Sequence, residues 1–224
     1  MTKVKVVLFL LLAAFATSSF AESVEDQREE RQKIFKNSKN KNKDKALKLA
    51  DEEFDKLLEE GWKSMPDVLP IERQIDAMHI MQMEYDSNLF PVYIMAEARS
   101  VNQDYEAAKK RAMELAKPVL VTKIQSEVIA QIQWAMNNEV LEQREGEYII
   151  KIVNAAKDRI LQNLEKVMPV VEICRIPPSK SKEVRLVIAC VGDLAKKKVK
   201  KAIKADLDRE SEKLQKKLAE ILGW

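Results

Sequence analysis

The chain has 224 residues, 46% of them hydrophobic and 33% charged, with only 4 glycines and 7 prolines. This composition is typical of a folded, helix-rich protein and excludes collagen-like and wholly disordered chains. The formal net charge of +3 is too small to indicate general attraction to nucleic acid or to anionic lipid.

Residues 1–21 have the pattern of a secretory signal peptide. Two lysines precede an apolar run from Val6 to Ala16, and small residues lead to Ala21. The run has about 11 residues, whereas a helix that spans a bilayer needs roughly 20. We therefore expect cleavage after Ala21 and a periplasmic or secreted mature protein. A retained membrane anchor is the alternative.

Residues 22–45 are predicted to form a disordered charged arm, because lysine and asparagine dominate the stretch from Lys36 to Lys45. The arm is interpreted as a solvated spacer. The alternative is a basic arm that grips an anionic envelope polymer or lipid head groups. The spacer is favoured because no aromatic residues are interleaved with these lysines.

Residues 46–91 form the predicted helical N-terminal segment. Apolar spacing predicts one helix over 46–60, which Gly61 ends, and another over about 71–85. His79 has no other metal ligand at helical spacing and is expected on the helix surface or at its edge. The aromatic residues Trp62, Tyr85 and Tyr93 either line a groove for sugar or peptide or anchor the core, and the core is favoured.

Residues 92–192 are predicted to be an α+β core. Alternating polarity predicts a strand over 92–101, and Asn102 then precedes a helix that Pro118 should kink or break. A further helix is expected over about 147–167. Two β-rich runs, 170–176 and 184–191, flank a proline-led loop and predict a hairpin.

Residues 193–224 carry an apolar stripe and predict one long C-terminal amphipathic helix, lysine-rich from Lys196 to Lys204. It is the best candidate contact surface, and docking on its own domain is favoured over docking on a partner. The fold class is therefore α+β. Long helices pack with a small, at least partly antiparallel sheet of about three strands.

The two cysteines, Cys174 and Cys190, fall on the two strands of the predicted hairpin. A loop midpoint near residue 180 places Cys174 opposite Leu186 or Val187, so that a disulfide would need a shifted register or a bulge. Two buried thiols are therefore favoured over a disulfide.

No motif in the chain predicts a catalytic, cofactor-binding or metal-binding residue, and no cofactor is expected. One histidine and 2 cysteines are too few for a zinc site of three or four such ligands. Ser179 and Lys182 formally match Ser-x-x-Lys, but the companion motifs of penicillin-recognising enzymes are missing. The many carboxylates, such as Glu59, Glu60 and Glu97, are interpreted as surface charge.

A family resemblance rests on two groups of residues. The first group is Ala96-Glu97-Ala98, the turn Asn102-Gln103-Asp104-Tyr105, Ala107-Ala108-Lys109, Ala112, Leu115-Ala116 and Ile124-Gln125-Ser126-Glu127-Val128. The second is Gly61-Trp62-Lys63, Pro66, Leu69-Pro70, Gln74, Met81-Gln82 and Tyr85. This second group resembles a non-lipidated branch of exported proteins of unknown function. Over residues 60–192 the chain resembles the small LPP-type surface-lipoprotein family of Gram-negative bacteria, which is related to the N-terminal domain of flagellar assembly protein T. The chain departs from that family because no cysteine follows its leader.

The resemblance implies an exported, non-catalytic protein of the bacterial cell envelope that acts through protein contacts or as a structural factor. Its expected partner is an envelope protein or a second copy of itself. Nucleic acid is not expected, and membrane contact is expected to be peripheral at most. The alternatives are a periplasmic polysaccharide-binding or hydrolytic protein that uses carboxylates and Trp62, and a binder of anionic surfaces that uses Lys36–Lys45 and Lys196–Lys204.

Overall fold

A computed structural model describes residues 24–37, 39–164, 166–178 and 181–223. The helices are α1 (Val24–Lys36), α2 (Lys39–Glu59), α3 (Ile71–Gln82), α4 (Tyr105–Asn137), α5 (Gln143–Ala155), α6 (Lys157–Gln162), α7 (Gly192–Leu207) and α8 (Glu212–Leu222). The strands are β1 (Lys63–Ser64), β2 (Tyr93–Asn102), β3 (Met168–Arg175) and β4 (Lys182–Val191). In these ranges no helix combines the length and the apolar character that crossing a membrane requires. The predicted signal peptide lies outside the described residues.

The strands form one antiparallel sheet in the order β1-β3-β4-β2. The pairing of β2 with β4 is continuous from Tyr93 opposite Val191 to Asn102 opposite Lys182. The predicted α+β class, the antiparallel sheet and the hairpin are confirmed. The sheet has a fourth strand because β1 joins its edge, and two residues are too few to show an alternating pattern.

Each face of the sheet is covered by helices, and strand alternation divides the core into two clusters. One face packs on α4, with buried strand residues Ile94, Ala96, Val184, Leu186, Ile188 and Cys190. The other face packs on α2 and α3, with buried strand residues Met95, Val171, Ile173, Val187 and Ala189. The α4 residues Ala108, Ala112 and Ala116 are fully buried, and such small side chains allow a close approach of helix and sheet.

The helix α4 continues through Pro118, so the prediction of a break there is wrong. A proline in a helix removes one backbone hydrogen bond. Residues on both sides of it are buried in the core, among them Ala112, Leu120 and Ile124. Burial of both halves therefore holds α4 as one helix, since packing contributes more to helix stability than local propensity does.

The predicted disordered arm differs from the structure, because residues 24–36 form α1 and residues 39–45 begin α2. Arg31 makes a two-pronged ion pair with Glu127 of α4, at 2.7 and 2.9 Å. The guanidinium of Arg28 lies 3.8 Å from the centre of the Trp134 ring. These contacts with residues far along the chain hold α1 in place, and a local reading of composition does not show them.

Two helices predicted as continuous are each divided in the structure. The helix expected over 147–167 is α5 and α6, which meet at Ala156. The C-terminal helix is α7 and α8, and Ser211 caps α8 by accepting a hydrogen bond from the amide of Leu214 at 3.2 Å. The α8 residues Leu214, Leu218 and Leu222 are buried in the α4 core, so this helix docks on its own domain.

Replacing Gly192 with alanine is expected to lower the free energy of unfolding by about 1–3 kcal/mol, because the added Cβ overpacks the start of α7. That atom would lie 2.2 Å from the backbone carbonyl oxygen of Pro91. Gly146→Ala is the matched control, because its Cβ would meet the side-chain sulfur of Met136, which can move. Urea denaturation checks both, and equal stability losses would contradict this reading.

Candidate functional site

Trp62 is buried in the core rather than exposed in a groove, so the groove interpretation of this residue is wrong. Its side chain is 1% exposed, and Nε1 donates to Glu60 at 2.9 Å. Its ring is flanked by the guanidinium groups of Arg175 at 4.7 Å and Arg99 at 5.5 Å from its centre. The indole therefore contributes packing and cation–π contacts and leaves no face for a sugar.

His79 is half-buried and paired, in contrast to the expected surface position. Its Nε2 lies 2.8 Å from a carboxylate oxygen of Glu53 on α2. The other carboxylate oxygen of Glu53 lies 2.7 Å from Arg185 of β4. The histidine therefore joins α3 to α2 at the edge of a buried charge network.

The centre of that network is Arg185, whose side chain is only 8% exposed. It lies between two carboxylates, Glu53 and Glu97, at 2.7 Å from each. Glu97 also accepts from Arg99 at 3.0 Å. These carboxylates converge on an arginine and not on an open cleft. The network therefore ties α2 to the sheet and offers no place for a substrate between two acids.

Burial alone would raise the pKa of Glu97, but its hydrogen bonds and charge contacts with Arg185 and Arg99 lower the pKa on balance. A carboxyl group with a lowered pKa stabilises the fold above its unfolded pKa, and that stability is lost as pH falls through the folded pKa. The free energy of unfolding of the wild type should therefore exceed that of Glu97→Gln at pH 7, and this difference should be lost below about pH 4. Urea denaturation at pH 7 and pH 3 checks this, and an equal difference at both values would contradict it. Glu114→Gln, an exposed position on α4, is the control.

Both cysteines are buried free thiols on strands. Cys174 lies opposite Val184 in the sheet, and Cys190 lies opposite Ile94. Val184 precedes the predicted partners of Cys174, Leu186 and Val187, by two or three residues, because the register of the hairpin is centred one residue earlier in the chain than the predicted midpoint near residue 180. Burial raises the pKa of each thiol, which keeps it protonated.

Within the described ranges, no group of three or more His, Cys, Asp or Glu side chains is placed to hold a metal ion. Lys182 of the Ser-x-x-Lys match is the first residue of β4, and Ser179 falls outside the described residues. Of the carboxylates singled out from the sequence, Glu59, Glu60 and Glu97 are all described, and none lines either cleft described below.

The candidate site lies elsewhere, at two clefts that meet at the C-terminal end of α1. The first cleft has a volume of about 480 Å³. It is lined by Phe35, Asn37, Lys39, Asn42, Lys43, Ile80, Met83, Glu84, Tyr85 and Val92. Its wall is mainly apolar and aromatic, while two lysines and two asparagines provide positive charge and hydrogen-bond donors, and Glu84 offsets part of that charge.

The second cleft has a volume of about 530 Å³ and lies between α1 and the end of α4. It is lined by Glu25, Arg28, Glu29, Gln32, Phe35, Lys36, Ser87, Leu89, Trp134 and Asn138. It is more polar than the first, with charged residues of both signs on its α1 side. One residue, Phe35, lines both clefts.

Phe35 is 49% exposed although its neighbour Ile34 is buried. The first turn of α2 is tied to the end of α1 by Asn42, whose side-chain amide donates to the carbonyl of Ile34 at 2.7 Å. The ion pair of Arg31 with Glu127 holds the preceding turn of α1. The phenyl ring is therefore presented at a fixed place between the two clefts.

This arrangement fits an amphipathic partner, with apolar side chains against the aromatic wall and acidic groups against Lys39 and Lys43. The sequence does not predict the two clefts, because the composition of residues 22–45 favours a disordered arm. The signal available was the pair Ile34 and Phe35, since two adjacent large apolar residues are unusual in a solvated spacer.

Comparison with known proteins finds no matching family model, no matching curated protein and no matching solved structure.

Proposed function

We propose that the chain is an exported, non-catalytic protein of a bacterial cell envelope that binds another envelope protein through the two clefts beside Phe35. The observation that carries the proposal is the exposed Phe35 ring between an apolar wall and a lysine-rich rim. An exposed aromatic residue in such a setting is typical of a binding hot spot. The partner it fits is an amphipathic helix with acidic residues beside its apolar face.

Export is supported by the leader pattern of residues 1–21. The helix α1 begins at Val24, so cleavage after Ala21 would leave α1 and both clefts intact. The resemblance of residues 60–192 to the small LPP-type lipoprotein family supports the same compartment. Lipid anchoring is not part of the proposal, because no cysteine follows the leader.

Fractionation of the native host with a C-terminally tagged full chain tests export. The proposal expects the chain in the periplasm or the medium, with an N-terminus at Glu22. Recovery in the cytoplasm with residues 1–21 still attached would overturn it.

The same host tests the clefts by crosslinking and mass spectrometry on the Phe35→Ser variant. The proposal expects this variant to lose crosslinks to its envelope neighbour while its location and abundance stay unchanged. Leu58→Ser is the matched control, since Leu58 is 51% exposed on α2 and lines neither cleft. Equal loss in both variants, or in neither, would contradict a contact at Phe35.

The second candidate is a binder of anionic surfaces, and it is favoured by the lysines Lys36, Lys39 and Lys43 around the clefts. That function predicts binding to anionic vesicles that falls steeply with salt and is lost on deletion of residues 22–45. Binding to such vesicles that does not depend on Phe35 would favour this candidate over the protein partner.

A further inference from the structure

The strand β2 is a long edge of the sheet that pairs on one side only, with β4. In the described part of the chain, no other group hydrogen-bonds to its outward-facing amides and carbonyls. Edge strands usually carry protection such as a proline, a bulge, very short length or charged side chains, and β2 has only the charged side chains Glu97 and Arg99. The opposite edge, β1, is only 2 residues long, whereas β2 has 10 residues and a continuous register.

We propose that two copies of this chain associate through β2, edge to edge and antiparallel, with the twofold axis at Ala98. The inference is independent of the clefts beside Phe35. In this arrangement the two four-stranded sheets join into one continuous sheet. Residues 94–102 of one copy then pair with residues 102–94 of the other.

Charge favours this register over its two neighbours. Only every second residue of β2 directs its backbone amide and carbonyl outward, and in an antiparallel pair these residues must lie opposite one another. Neighbouring registers therefore shift the partner of each residue by two positions and move the twofold axis by one residue. With the axis at Ala98, Glu97 of each copy lies opposite Arg99 of the other. An axis at residue 97 places Glu97 opposite Glu97, and an axis at residue 99 places Arg99 opposite Arg99. Opposite charges directly across a strand pair stabilise it, and like charges destabilise it.

The exposed apolar residues of α4 support the same surface. Lys109 of α4 bonds Glu172 of β3 at 2.7 Å, so that flank of the helix faces β3. Leu115 comes six residues after Lys109, and at 100° per residue its side chain lies about 120° around the helix axis from that of Lys109, on the opposite flank. This flank lies above the open edge of β2. Leu115 is 46% exposed, and Val119, one turn further, is 42% exposed.

The position of Leu115 along α4 also agrees with a twofold axis at Ala98. Leu115 lies about 15 Å along α4 from Tyr105, and Ala98 lies about 13 Å along β2 from Asn102. Because α4 turns back over β2 after a two-residue link, Leu115 is level with the proposed axis. The two copies of Leu115 would then cover each other beside the joined strands.

Cysteine crosslinking tests the register in the full chain. Ala98→Cys should form an intermolecular disulfide on mild oxidation, because residues directly opposite in an antiparallel pair have Cα atoms at a distance that a disulfide spans. Val101→Cys is the matched control. Val101 is 54% exposed, so random collisions between copies would crosslink a cysteine there readily. In the proposed register, however, Val101 lies opposite Met95 and the two Val101→Cys thiols are far apart. Crosslinking of Val101→Cys that equals or exceeds that of Ala98→Cys would overturn the proposal.

Sedimentation velocity tests the association itself. Wild type should sediment as a dimer, and Arg99→Glu should raise the dimer dissociation constant about tenfold, since two attractive pairs become repulsive. Leu115→Ser should weaken the dimer, while Leu58→Ser should not. Arg99 and Leu115 are exposed, so circular dichroism should show folded variants. A wild-type monomer at every concentration tested would overturn the proposal.

Discussion

Replacing Arg185 with methionine should lower the free energy of unfolding by about 3–5 kcal/mol, the largest loss we expect from a single charge. The guanidinium lies between Glu53 and Glu97, and its side chain is 8% exposed. Methionine fills part of the same volume but removes the cation that lies between these two half-buried carboxylates. Urea denaturation at pH 7 measures the loss.

The control for Arg185 is the triple variant that also carries Glu53→Gln and Glu97→Gln. Removing both carboxylate charges should recover much of the stability, because an unpaired charge costs more than the missing ion pairs contribute. If the triple variant is less stable than Arg185→Met alone, the loss comes from packing and the ion-pair account is wrong.

Replacing Trp62 with alanine should lower the free energy of unfolding by about 3–5 kcal/mol, because the indole is one of the largest fully buried side chains. The ring also lies between Arg99 and Arg175. Thermal or urea denaturation measures the loss.

Trp62→Phe separates packing from the hydrogen bond to Glu60. This variant keeps an aromatic ring and should lose much less stability than the alanine variant. Equal losses for phenylalanine and alanine would assign the effect to the hydrogen bond and contradict the packing account.

The regular parts of the core could be predicted from the sequence because their patterns are local. Alternation marks β2, and the two β-rich runs around Pro177 mark β3 and β4. The spacing of apolar residues marks α4 and the docking stripe of α8. These signals depend on which face of an element is buried, and the sequence carries that information residue by residue.

The N-terminal helix α1 could not be predicted in the same way. Its stability depends on Arg28 and Arg31, which contact Trp134 and Glu127 about a hundred positions along the chain. Composition alone does not distinguish these two arginines from the other charged residues of the segment. The clefts were missed for the same reason, since Phe35 becomes part of a site only when α1 is docked.

The charge network was missed because the alternation of β2 places Glu97 on its polar side, which a half-buried strand turns to solvent, whereas α2 and α3 cover that face of the sheet. Each member of the network is interpretable as surface charge when it is considered alone. Only the pairing of β2 with β4 and the crossing of α2 bring Glu53, Glu97 and Arg185 together.

The central claim is that the exposed ring of Phe35 contacts a protein of the envelope. The most direct test replaces Phe35 with a photo-crosslinking phenylalanine analogue in the native host, with Leu58 as the matched position. We predict one dominant crosslinked envelope protein at Phe35 that is absent at Leu58 and that disappears when Lys39 and Lys43 are both changed to glutamate. Crosslinks of the same pattern at both positions, or only to lipid at Phe35, would contradict the account.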